Sequence, residues 1–174
     1  MPVTVFTIGH GVRSLDELVA TLTEAGVRTL VDVRRFPGSR RNPQFNLTPL
    51  SDVLTESGIE YRHAVELGGR LSGEPGEERF ACIRVAAFRS YAARMGTDPW
   101  QRALERALDE PAPCLMCAET VPWRCHRRLI SELLVARGHT VVHLLAPGRR
   151  QRHRLGEDAE ARDGRLYLCG ELVV

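Results

Sequence analysis

Pro113-Cys114-Leu115-Met116-Cys117-Ala118-Glu119-Thr120-Val121-Pro122-Trp123-Arg124-Cys125-His126-Arg127-Arg128 reads as a buried strand that ends at Cys117, a short polar loop, and a helix that starts near Cys125. Two sulfurs, a carboxylate, an imidazole and several guanidiniums gather at this one strand-to-helix turn. Open α/β sheets place their binding crevice at such turns. A thiol near a helix N-terminus and beside arginine is favoured as thiolate, the nucleophilic and metal-binding form.

The same strand-then-helix rhythm runs through the rest of the chain. Val3 to Ile8 is a β-branched, alternating first strand, and Gly9-His10-Gly11 is a tight loop. Ser14-Leu15-Asp16-Glu17 fits a capping box ahead of the apolar stripe Leu15, Leu18, Val19 and Leu22. Gly26 ends that helix, and Thr29 to Val33 is a second strand. Thr48-Pro49 opens a second helix that Gly58 closes, and Ile59 to His63 is a third strand. Phe80 to Met95 is expected to be helical, and Asp98-Pro99 to cap a helix through Leu108. After the helix from Cys125 to Arg137, Gly138 is a stop and Thr140 to Leu145 a fifth strand.

Alternating strands and helices predict a three-layer α/β sandwich with a mainly parallel sheet, in a single domain. Residues 1–146 are expected to form the core. Residues 147–174 are expected to add a charged, partly mobile excursion from Pro147 to Gly164 and a C-terminal edge strand.

A chain of 174 residues is long enough for one domain with a substantial core. The formal charge of +2 gives little support to nucleic-acid binding by overall charge. There is no lysine, so all 24 residues counted as Lys or Arg are arginine. Schiff-base chemistry on lysine and the lysine-dependent phosphate loop are thereby excluded. A GC-rich genome explains the bias more simply than function does, although arginine suits bidentate binding of phosphate or carboxylate. No apolar signal segment follows Met1, and no apolar run is long enough to span a membrane. With five cysteines, the expectation is a cytoplasmic protein with reduced thiols and no membrane contact. The odd count argues against a fully paired disulfide framework.

Gly9 and His10, Asp32 with Arg34 and Arg35, His63, and Cys117 with Glu119 each follow or end a strand. In a parallel sheet they share one rim, which is the main argument for a site there. Cys114 and Cys117 form a C-x-x-C within a strand. A separation of three puts their sulfurs on opposite faces, so Cys114 reads as core. Cys125 lies four residues before Leu129, and His126 four before Ile130. Both therefore continue the apolar stripe one turn back, over the strand ends, where Cys117 can meet them. Two buried cysteines with a capping histidine is the plainer reading of the same pattern. A zinc site from Cys117, Cys125 and a histidine is a further alternative, though the usual knuckle spacing is absent. Glu119 suits a general base or a partner for the helix dipole, and Asp32 has the same ambiguity. A loop as small as Gly9-His10-Gly11 argues against a core role for His10 and leaves a site histidine or an exposed one. Residues 34 to 51 hold Arg34, Arg35, Arg40 and Arg41 before any acid, with Phe36 and Phe45 interleaved. Such a stretch can hold phosphate and stack on bases, although charged loops are commonly just solvated. Gly68-Gly69-Arg70 could add an anion contact.

These motifs taken together resemble the domain-of-unknown-function family numbered 488. The resemblance is carried by Thr7-Ile8-Gly9-His10, by Leu30-Val31-Asp32-Val33-Arg34-Arg35 with Pro37 and Ser39-Arg40, and by Tyr61-Arg62-His63 with Leu67-Gly68-Gly69. It is completed by Met116-Cys117-Ala118-Glu119 with Cys125-His126-Arg127, and it covers roughly residues 3 to 145. It implies a compact α/β domain and no established activity. It also implies that His10, Asp32, Arg34, Arg35, Ser39, His63, Cys117, Glu119, Cys125, His126 and Arg127 form the site.

Three functions fit the residues. The first is an enzyme with Cys117 or Cys125 as nucleophile, His10 or His126 as acid or base, and Glu119 as orienter. In it Asp32, Arg34, Arg35, Ser39, Arg40, His63 and Arg127 contact an anionic, nucleotide-like or nucleic-acid-derived substrate. The second is a nucleic-acid-binding module built on the Arg34–Arg41 loop. The third is the metal protein. The enzyme is favoured because a pure binding surface does not need thiols. No cofactor and no oligomeric state can be read from the residues.

Overall fold

The structure, a computed structural model, describes residues 1–174. The β-branched run becomes β1 (Thr4–Gly9), and the Ser14 side chain caps α1 (Leu15–Glu24) by accepting the Glu17 N–H at 3.1 Å. β2 (Thr29–Asp32), α2 (Leu47–Glu56) and β3 (Glu60–His63) follow. Then come α3 (Ala86–Met95), α4 (Asp98–Asp109), β4 (Pro113–Cys117), α5 (Arg127–Ala136) and β5 (Thr140–Ala146). All five expected strands share one sheet of order β3-β2-β4-β1-β5, and β6 (Arg149–Arg152) adds the sixth position, pairing antiparallel to β5. The other pairings are parallel.

Helices cover both faces. On one, α1 and α2 set Leu18, Leu22, Leu50 and Leu54 against Ile8, Leu30, Cys114 and Met116. On the other, α3, α4 and α5 pack Tyr91, Trp100, Leu104 and Leu129 with Val31, Leu115 and Cys117. Alternation along β4 sends Cys114 to the first face and Cys117 to the second, as a separation of three requires.

Four expectations change. Phe80 to Met95 is not one helix: a 3₁₀ turn covers Glu77–Phe80, and α3 starts only at Ala86. Arg89 donates to the Ile83 and Arg84 carbonyls at 2.8 and 3.1 Å, closing the turn between the two. Pro147 to Gly164, expected as a charged, partly mobile excursion, contains two strands, β6 and β7 (Ala159–Arg162). All four residues of β6 are exposed, so its sequence carries no apolar alternation and main-chain pairing alone defines it. β8 (Arg165–Leu168) and β9 (Glu171–Leu172) do not extend the main sheet. They join β7 in a separate three-stranded antiparallel sheet, while Leu166, Leu168 and Val173 still pack into the larger core. Finally, reduced thiols are not found throughout: Cys82 and Cys169 are joined across 87 residues, and Cys114, Cys117 and Cys125 remain free and buried. No helix is long and apolar enough to cross a membrane.

Candidate active site

The rim forms because β1, β2, β3 and β4 end in register. Gly9 lies beside Cys117, and Asp32 lies beside both Met116 and His63. The loop after β4 then folds across β1, with His10 and Gly11 donating their N–H groups to the Cys117 and Ala118 carbonyls, each at 2.9 Å. Only glycine permits this. A Cβ on Gly9 would stand 1.7 Å from the Glu119 carbonyl oxygen.

At the centre the Cys117 and Cys125 sulfurs are 3.0 Å apart. The Arg127 Nε–H points at both, at 2.9 Å from Cys117 and 3.3 Å from Cys125. The Arg127 backbone N–H, a donor that the first turn of α5 cannot use, also points at the Cys125 sulfur at 3.3 Å. The remaining guanidinium bonds go to the Thr7 hydroxyl at 2.9 Å and the Glu119 and Thr120 carbonyls at 2.6 and 3.4 Å. Arg127 is 1% exposed, and none of these partners is a carboxylate. A buried charge without a counter-charge costs several kcal/mol, so the sulfur pair is the natural holder of one negative charge.

The ionisation of the pair follows. Burial raises the Cys125 thiol, but the hydrogen bond from Cys117 and the Arg127 charge outweigh it and bring it below the ordinary thiol range. Burial and the hydrogen bond to Cys125 drive Cys117 well above that range. The pair is thus a Cys125 thiolate accepting a hydrogen bond from a Cys117 thiol. Arg127 was expected to contact an anionic ligand; it holds the sulfurs instead.

Asp32 was expected to face a ligand and is instead held in an internal ion pair with Arg34, which itself also lines the cleft. Asp32 is fully buried and accepts from the Arg34 guanidinium at 2.6 to 3.1 Å and from the Tyr61 hydroxyl at 2.6 Å. Burial and the Asp32 charge push the Tyr61 hydroxyl well above its ordinary value. His63 binds the Arg34 carbonyl at 2.8 Å, bracing the same turn. His10 is buried rather than exposed, with its ring stacked on Phe45 at 4.4 Å and its Nδ1 2.9 Å from the Gly11 carbonyl. The small loop does not isolate it, because Phe45 arrives from the segment after β2. Burial lowers its pKa. His126 occupies the N-cap position of α5 without a side-chain capping bond, lies 3.0 Å from the Val33 carbonyl and packs on Tyr91. Burial lowers its pKa to about 4, so at neutral pH it is uncharged. Gly69 lies against it, where a Cβ would stand 2.7 Å from Nδ1.

Above the sulfurs opens a cleft of about 670 Å³, walled by Arg34, Arg35, Arg41, Arg70 and Arg124 together with Cys117, Glu119, Cys125 and His126. Ser39 also lines it, and its hydroxyl accepts the Asn42 N–H at 3.0 Å. Arg40 is exposed and lies outside the lining, its place taken by Arg41. Arg70 holds a left-handed backbone, φ 59°, unusual for a residue with a side chain. The two sulfurs converge, but no third ligand joins them, and no group of three or more His, Cys, Asp or Glu side chains is arranged to hold a metal.

Sequence reasoning missed Thr7. It accepts from Arg127 and lies 2.6 Å from His143 Nδ1, whose Nε2 lies 2.9 Å from His153 Nδ1. Burial lowers the His143 pKa to about 3. Thr7 had entered only as the first residue of the Thr7-Ile8-Gly9-His10 motif, and His143 only as a lone histidine in an apolar strand.

Fold and site together define an α/β protein whose strand ends hold an arginine-braced thiol pair under a basic cleft. The chain belongs to the family described as Domain of unknown function DUF488, whose model matches residues 14–134. No curated protein and no solved structure matches it.

Proposed function

We propose that this protein is an enzyme in which the Cys125 thiolate attacks an anionic substrate held by the cleft arginines. The observation that carries the reading is the buried Arg127 guanidinium with two sulfurs, and no carboxylate, as its acidic partners. A purely structural pair of core cysteines does not call for a buried cation. Cys117 supplies a hydrogen bond that holds Cys125 ionised, and Glu119 at the cleft edge is available to carry a proton. His10 and His126 are bonded to backbone carbonyls, so they position loops rather than shuttle protons. Arg35, Arg41 and Arg124 are exposed on the cleft wall, and guanidinium forks match phosphate or carboxylate oxygens in pairs. Phe36 is 64% exposed beside Arg35, which favours a substrate with a flat ring, such as a nucleotide or a nucleic-acid component.

The test has two arms. Iodoacetamide should modify Cys125 selectively, with a rate that titrates below the ordinary thiol range. Phosphate and nucleotides at low ionic strength should raise the melting temperature of wild type, and less so that of Arg35→Ala with Arg41→Ala. Equal, ordinary reactivity of the free thiols together with no stabilisation by any anion would refute the reading. Tight binding of single-stranded nucleic acid with a steep salt dependence and no thiol reactivity would support a binding module instead.

A further inference from the structure

We infer that Cys117 and Cys125 interconvert between a dithiol and an intramolecular disulfide, and that the cleft exchanges this bond with a carboxylate-bearing disulfide substrate. The inference rests on the reading of Cys125 as nucleophile.

Geometry supports it first. The sulfurs are 3.0 Å apart, and a disulfide needs about 2.05 Å, so closure asks for a movement of roughly 1 Å. Residues 118–124 that join them are loop and a single 3₁₀ turn, which can absorb such a movement more readily than strand or helix. Cys114, the remaining free thiol, packs in the core on the opposite face of the sheet and cannot compete. Both sulfurs line the cleft, with Cys125 6% exposed and Cys117 3%, so Cys125 is the entering group and Cys117 the resolving one.

Electrostatics supply the direction. In the dithiol state the buried Arg127 charge faces a thiolate. In the disulfide state neither sulfur is charged, and Arg127 loses its counter-charge. Stabilising the reduced form makes the disulfide easier to reduce, the signature of a catalytic bond rather than a structural one.

The steps balance. The Cys125 thiolate attacks one sulfur of R–S–S–R; the Cys125–SR bond forms, the substrate S–S bond breaks, and R–S⁻ leaves and takes a proton from solvent. Cys117 releases its proton and attacks the Cys125 sulfur. The Cys117–Cys125 bond forms, and the second R–S⁻ leaves with that proton. The protein dithiol is oxidised by two electrons and one disulfide becomes two thiols. A small dithiol reverses the reaction and returns the protein to its starting state. The basic wall of the cleft selects substrates whose R groups carry carboxylates.

The experiment uses the full chain with oxidised glutathione as the anionic disulfide and 2-hydroxyethyl disulfide as the uncharged one. Reactions are quenched with iodoacetamide and mapped by peptide mass. Wild type should accumulate a Cys117–Cys125 disulfide, separable by its peptides from Cys82–Cys169. Cys117→Ser should trap one glutathione on Cys125, and Cys125→Ser should form neither product. Oxidised glutathione should react at least about tenfold faster than the uncharged disulfide at low salt, a preference that falls with ionic strength and in Arg41→Ala with Arg124→Ala. If wild type keeps glutathione on Cys125 without forming the Cys117–Cys125 bond, the inference is overturned while the nucleophile stands. If Cys125 of the reduced wild type reacts no faster than an ordinary thiol with iodoacetamide as well, both fall.

Discussion

Replacing Arg127 with methionine removes the buried cation but keeps much of the side chain's volume, and it tests the site at its centre. In the native protein the Cys125 thiol is brought from its ordinary 9.0 to about 6. Without Arg127 the raising effect of burial is opposed only by Cys117 and the backbone N–H, and Cys125 should titrate near or above its ordinary value. The thiolate fraction at pH 7 then falls from most of the molecules to about 1%, so alkylation at pH 7 should slow on the order of 100-fold. Stability against pH gives an independent readout. Cys125 is more acidic folded than unfolded, so its contribution is present above the unfolded thiol pKa and is lost as pH falls through the folded one. Cys117 is less acidic folded than unfolded, so its contribution is present below the unfolded pKa and is lost as pH rises beyond it. Between about pH 6 and pH 9 the unfolded chain binds one more proton on this pair than the native one, and stability should rise. Above that range the unfolded chain loses both protons while Cys117 keeps its own, and stability should fall. The maximum near the unfolded thiol pKa should flatten in Arg127→Met. An alkylation rate for a well-folded Arg127→Met within about threefold of wild type, with the same pH profile, would refute the reasoning that Arg127 creates the thiolate.

Thr7→Val should cost about 1–3 kcal/mol in chemical denaturation, because the Arg127 Nη1–H loses its acceptor in a buried place, and Thr7→Ser should restore most of it. Gly9→Ala should prevent the loop after β4 from crossing β1, since the clash at 1.7 Å is with backbone; we expect a loss above about 3 kcal/mol or failure to fold, measured by melting temperature and yield. Reduction of Cys82–Cys169, which closes a loop of 87 residues, should lower the denaturation midpoint by an amount equivalent to about 2–5 kcal/mol; an unchanged midpoint in reductant would show that the bond adds nothing. Tyr61→Phe should cost about 1–2 kcal/mol, because Asp32 keeps the Arg34 fork and loses only the hydroxyl.

Four of the five sheet strands were legible as short apolar runs between turn residues, while β3 is polar and largely exposed and was placed by its position after Gly58; the rim followed because polar residues stand at the strands' carboxyl ends. β6 was not, because a strand whose four side chains are all exposed has no burial to record in its pattern. Arg40 and Arg41 were equivalent in the sequence, since an irregular loop has no period from which to tell inward from outward. The site was legible in membership more than in roles. Cys117 and Cys125 could be paired because helix and strand spacings are fixed. Arg127 was read as a ligand contact because spacing does not show that its guanidinium turns back over the strand end. Thr7 and His143 become partners through the parallel register of β1 with β5, a relation between residues 136 apart in the chain.

That register also explains why the charge of Arg127 has to be met by sulfur. Arginine only donates hydrogen bonds, so the Thr7 oxygen accepts from it, and the same oxygen shares a hydrogen bond with His143 Nδ1, 2.6 Å away. His143 Nε2 shares a hydrogen bond with His153 Nδ1, 2.9 Å away. His153 in turn directs Nε2 toward the buried Glu132 carboxylate at 3.5 Å. The low pKa of His143 agrees with a neutral ring between two hydrogen-bond partners. Glu132 is therefore separated from Arg127 by a hydroxyl and two imidazoles, and its charge is met at its own end by Arg128, with an Nε to Oε1 separation of 3.5 Å, and by the Gly156 N–H. The chain orients the guanidinium without neutralising it. What remains within contact of Arg127 and able to ionise is the Cys117–Cys125 pair, and the fold delivers that pair to the floor of a cleft walled by arginine.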